Sequence, residues 1–95
     1  MAILHIVRNS AFNDNKLNLC LNVISGKDTL FLMDDGVYNI AHPKLMIRQD
    51  SLTVYALNDH IQARGIDIGT SNITLANLKD LVLLSDEAAK VITWQ

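Results

Sequence analysis

The sequence has one cysteine, one proline and four glycines in 95 residues, and only 5% of it is aromatic. A single thiol, Cys20, excludes an internal disulfide and suits a reducing compartment. With so few rings, Leu, Ile and Val must build the interior. No apolar run approaches the about 20 residues needed to span a bilayer. The amino-terminal MAILHIVRNS has neither a basic leader nor a long apolar segment, so no secretory signal is expected and a cytoplasmic location is. Basic charge is also sparse: eight Lys and Arg stand against ten Asp and Glu, a net charge of −2. The cations are scattered from Arg8 to Lys90 and never alternate with aromatics. Phosphate neutralisation requires clustered cations, so direct nucleic-acid binding is excluded.

What is present is aliphatic: 49% of the residues are hydrophobic. The length fits a single domain over residues 1–95, near the lower limit for burying a core. A surplus of apolar surface is expected, and such a surplus favours association with other subunits.

Short apolar runs alternate with helical periodicity. Ile3-Leu-His-Ile-Val7 reads as a buried strand, and Ser10, Asn13 and Asp14 can each cap a following helix. Leu17, Cys20, Leu21 and Ile24 are spaced i, i+3, i+4, i+7, one helical face that Gly26 ends. Leu30–Met33 is a second strand, and Val37–Ala41 a short helix limited by Pro43. Leu52–Ala56 is a third strand, followed by a helix from Asn58 or Asp59 to Arg64, closed by Gly65. Residues Ile68–Thr74 read as a loop or an edge strand. Leu75, Leu78, Leu81 and Val82 mark another helix, and Lys90–Trp94 a last strand. This order predicts an α/β fold of three layers, a mainly parallel sheet of about five strands with helices on both faces.

Four features invite a chemical reading. Asp34 and Asp35 end the second strand in TLFLMDDGVY, where open α/β sheets place ligands. They suit a receiver-like Mg²⁺ site or a nucleotide ribose. VRNSAFND, however, has no glycine-rich turn, and no further carboxylates and lysine are evident at other strand ends. A turn with Asp and Gly, its carboxylates at a helix start, is the preferred reading. Cys20 lies on the apolar stripe, as a small hydrophobe or as a reactive thiol with Lys16 four residues before it. His5, His42 and His60 lack the spacing of a metal site; His5 is expected to be hydrogen-bonded in or near the core. Arg8, Asn9 and Ser10 follow the first strand, where amides can hold an anion or cap the helix. Trp94 is expected to dock on this chain or a neighbour. No cofactor or metal is expected.

LHIVRNSAF, DDGVY, YALNDHIQARGI and the closing tryptophan, in this order and over essentially the whole chain, resemble the TusB/DsrH family. The resemblance implies a DsrE/F/H-like fold and a subunit of a cytoplasmic sulfur-relay complex. In the TusB type, TusC-like and TusD-like homologues complete a heterohexamer with two copies of each. That complex takes persulfide sulfur from a TusA-like protein and passes it to a TusE/DsrC-like one, for 2-thiolation of the tRNA wobble uridine. The essential cysteine there belongs to the TusD-like subunit, so this chain is expected to be structural rather than an enzyme. The DsrH type serves sulfur oxidation and has a cysteine in its first helix, as LNLCL does here. Cys20 is therefore the candidate persulfide carrier, with core packing the alternative.

Overall fold

A computed structural model describes residues 2–69 and 71–95. Its elements are β1 (Ile3–Val7), α1 (Lys16–Val23), β2 (Thr29–Leu32), a 3-10 helix (Asp34–Ala41), α2 (Pro43–Arg48), a short 3-10 turn (Gln49–Ser51), β3 (Thr53–Leu57), α3 (Asn58–Ala63), β4 (Thr74–Ala76), α4 (Leu78–Glu87) and β5 (Lys90–Trp94). The five strands form one sheet in the order β4-β3-β2-β1-β5, and every pair is parallel. This is the expected α/β architecture.

From β1 to β4 the chain steps outward one strand at a time. The last crossover then returns past β3, β2 and β1 to place β5 on the far side of β1. Right-handed crossovers put helices of opposite stepping direction on opposite faces. Accordingly, Leu17, Cys20 and Leu21 of α1, Val37 and Ile40 of the 3-10 helix, Leu45 of α2 and Ile61 of α3 pack with Val7, Leu30, Leu32, Val54 and Ala56 on one face. The other face presents Leu4, Ile6, Phe31, Leu57 and Ala76, against which Met33, Tyr55 and, from the α4 region, Leu81, Leu84 and Ala88 pack. One face is thus thickly covered and the other is covered by one helix. Among the described residues, no helix is long and apolar enough to cross a membrane.

Local structure departs from expectation in three places. The 3-10 helix ends at Ala41 with His42 extended before Pro43, as expected, but Pro43 also opens a helix the sequence did not predict, α2, where its missing N–H costs nothing, with the His42 side chain accepting from the Lys44 amide. Leu75 belongs not to the helix but to β4, an edge strand that overlaps the region read as loop or strand only at Thr74, and α4 begins after an Asn77/Asp80 capping box. Thr70, in that same region, lies outside the described residues. Helix α1 starts after Asn15 without a side-chain cap, although Asp14 accepts from the Lys16 amide and Ser10 from the Phe12 amide.

Candidate functional site

Cys20 is positioned by the stripe that predicted its helix. Leu17, Cys20, Leu21 and Ile24 all face the sheet, and the thiol has no exposed surface. Burial pushes its pKa up from 9.0 to about 12, partly countered by the positive charge of Arg48 and reinforced by Asp28. Arg48, rather than the sequence neighbour Lys16, is the cation that acts on it. Arg48 is held by a hydrogen bond from its guanidinium to the Leu21 carbonyl. At neutral pH the group is a protonated thiol within packed aliphatics, the state in which cysteine behaves as a small hydrophobe.

The carboxyl ends of the strands gather a second set of groups. Asp34 has a left-handed backbone (φ 51°). Its amide donates to His60 Nδ1 at 2.7 Å, and its carboxylate accepts from Arg8 Nε at 2.6 Å. Arg8 also donates to Gln95 Oε1 at 3.1 Å, and Arg64 pairs with Asp35 at 3.1 Å. Because His60 Nδ1 is an acceptor, its proton resides on Nε2. Each of the two carboxylates therefore has a guanidinium, and no group of three His, Cys, Asp or Glu able to hold a metal exists among the described residues. Gly36 donates to the carbonyls of Met33 and Arg8. A Cβ on Gly36 would lie 2.1 Å from the Val7 carbonyl oxygen. The DDG segment is the first turn of the 3-10 helix, with its carboxylates at a helix start as the sequence suggested, but the helix begins at Asp34 rather than near Val37, close approach to β1 demands the glycine, and Asp34 takes the left-handed conformation.

A third set is buried. His5 is 1% exposed and Asp28 4%. Asp28 Oδ2 accepts from the Ser25 amide at 3.0 Å and lies 3.2 Å from His5 Nε2, while Oδ1 accepts from the Ile3 amide at 3.0 Å. Trp94 Nε1 donates to His5 Nδ1 at 3.2 Å, which places the imidazole proton on Nε2, facing Asp28. Burial alone would raise the Asp28 pKa, but the bonds from Ser25, Ile3 and His5 outweigh it and the net shift is downward. His5 is hydrogen-bonded in the core as expected, and Trp94 docks on its own chain. Sequence reasoning does not single out Asp28; its signal is an acidic residue three positions after Ser25, immediately before a strand. All three residues are satisfied within the chain, so the arrangement ties β5 and the turn before β2 to β1.

The remaining feature is apolar. Ile47 is 82% exposed, Phe12 and Val23 60% each, and Leu78, Val82 and Leu83 of α4 between 51% and 59%. The expected surplus is present.

A family model described as "DsrH like protein" matches residues 9–91. The YchN protein of E. coli has a similar solved structure, with a TM-score of 0.67 at 21% identity over 98% of this chain and 99% of that one. Tm0979 of Thermotoga maritima has a TM-score of 0.66 at 23% identity, covering 92% of this chain and 94% of that one. At these identities the two structures speak for the shared fold. No curated protein gives a significant match. The family match covers residues 9–91 of the 95, well over half of the chain: the chain belongs to the DsrH-like protein family.

Proposed function

We propose that this protein is a structural subunit of a cytoplasmic persulfide-relay complex that supports 2-thiolation of the tRNA wobble uridine. The reactive cysteine is supplied by a homologous sister chain. Family membership supports a sulfur-relay subunit in general. The observation that carries the structural role is the burial of the only cysteine: Cys20 has no exposed surface and its pKa is pushed up to about 12. A persulfide carrier needs a thiolate that a donor can reach. The exposed aliphatic side chains support burial against TusC-like and TusD-like subunits, since obligate interfaces resemble sections through a core. Sulfur is then exchanged with TusA-like and TusE/DsrC-like proteins at the sister chain.

A second reading follows from the family description, which names DsrH. In that reading the complex serves sulfur oxidation, and Cys20 carries persulfide after α1 opens. One experiment tests the structural role. The Cys20→Ala chain is expressed in a host lacking its native counterpart, and 2-thiouridine in tRNA is quantified. Thiolation at the wild-type level is the expected result. Loss of thiolation, with the variant still assembled on its sister subunits, makes Cys20 an obligatory carrier and overturns the structural role.

A further inference from the structure

The bond between Trp94 and His5 exists in only one protonation state of the imidazole. Trp94 Nε1 donates to His5 Nδ1 at 3.2 Å, and His5 Nε2 lies 3.2 Å from Asp28 Oδ2. An indole nitrogen can only donate, so the bond needs a bare Nδ1. An imidazolium carries hydrogen on both ring nitrogens. Protonation therefore sets one N–H against another on the Trp94 side. On the Asp28 side it strengthens the contact, which becomes charge-assisted.

The surroundings decide which partner gives way. Burial acts to raise the Asp28 pKa, but the Ser25 and Ile3 amides and His5 draw it below 3.8, so the carboxylate stays charged wherever histidines titrate. Beside His5 in the sheet stand Leu30 of β2 and Ile92 of β5. Lys90 alternates onto the Ile92 side of β5 but is exposed. Helix α1 brings Leu17, Cys20 and Leu21 to this face, and Cys20 keeps its proton until about pH 12. Arg48 of α2 is held at the Leu21 carbonyl. Asp28 is thus the one ionised group bonded to His5 among the described residues.

His5 is 1% exposed and cannot itself turn to water. Trp94 is half-buried, near the end of an edge strand that pairs with β1 alone. Beyond its side chain, that end is held by the Arg8 amide on the Trp94 carbonyl at 3.3 Å and by an exposed bond from Arg8 to Gln95 at 3.1 Å. The indole is the group that can exchange its partner for solvent.

We propose that His5 is a proton-operated latch for the carboxyl end of β5: the neutral ring holds the Trp94 indole, and protonation releases it to solvent while His5 stays bound to Asp28. The latch goes beyond the sulfur-relay reading and does not depend on it.

Trp94 is the only tryptophan, so the full-length chain gives one indole N–H resonance and one tryptophan emission band. Between about pH 8 and about pH 5, the indole resonance should move towards the free-indole position with the same midpoint as the His5 ring signals. Emission should shift to the red, and acrylamide quenching should rise about twofold or more, over the same interval. Far-ultraviolet circular dichroism should stay constant, because only the end of one strand is released. His5→Gln offers the indole a carbonyl acceptor and Asp28 an amide donor at every pH, and should keep Trp94 docked in acid. Should that buried replacement misfold, Trp94→Phe decides. Wild type should exceed it about fivefold or more in folding equilibrium constant at about pH 8, and no longer exceed it at about pH 5. The proposal is overturned if His5 does not titrate in this range, or titrates while the indole resonance stays in place. A red shift that persists in folded His5→Gln overturns it too, as does an equal Trp94→Phe deficit at both pH values. An emission change that coincides with unfolding of the whole chain does the same.

Discussion

Alkylation of Cys20 gives the sharpest measure of how the fold treats its only thiol. The displacement from 9.0 to about 12 is three pH units. At neutral pH it leaves about a thousandfold less thiolate than the same side chain has in an unfolded chain. Absence of exposed surface adds a steric barrier, because the reagent enters only when α1 lifts from the sheet. Iodoacetamide should therefore modify the native protein at least about a thousandfold more slowly than the urea-unfolded protein at the same pH, followed by intact mass. The same shift has a consequence for stability. Above pH 9 the unfolded chain releases the Cys20 proton while the folded chain holds it until about pH 12. Stability is thus fully present below pH 9 and falls as pH rises through that window, by up to about 1.4 kcal/mol per unit. The relevant quantity is the difference between wild type and Cys20→Ala in urea unfolding at each pH, which isolates the thiol. Native alkylation within about tenfold of the unfolded rate, or a labelling midpoint near 9, would refute both the sealed thiol and the structural role built on it.

Three further substitutions probe the turns and the buried acid. Gly36→Ala drives a methyl to 2.1 Å from the Val7 carbonyl oxygen and should cost about 3 kcal/mol or more in urea unfolding, because backbone must shift. Gly65→Ala meets no atom within 4 Å and has only a left-handed φ of 62° to oppose it, so about 1–2 kcal/mol is expected. Equal costs at the two sites would contradict the close-approach explanation. Asp28→Asn removes one of two acceptor oxygens that together serve two amides and His5, and should destabilise by about 1–3 kcal/mol at neutral pH. Since the folded Asp28 pKa is depressed, its ionic contribution is present above the ordinary value of 3.8 and lost as pH falls through the folded value. The gap between wild type and variant should therefore narrow in acid, and a gap that widens there would sink the assignment.

Much of this protein is legible in the periodicity and composition of its chain. The i, i+3, i+4, i+7 stripe from Leu17 to Ile24 locates α1 and its buried face, Gly65 marks a left-handed helix end, and the alternation of strands and helices implies a parallel sheet. These are local signals, carried by residues within two or three turns of each other. The surplus of aliphatics likewise follows from counting, because a small sphere cannot enclose them all. Tertiary structure decided the rest. Arg8 and Asp34 are 26 residues apart and Trp94 and His5 are 89 apart. Such pairs meet only because β2 and β5 both lie beside β1. Among the described residues, that strand order also leaves α4 as the single helix on its face, and so determines which hydrophobic residues remain in water. Pairing across a sheet depends on the register of distant strands, which no short window of sequence contains.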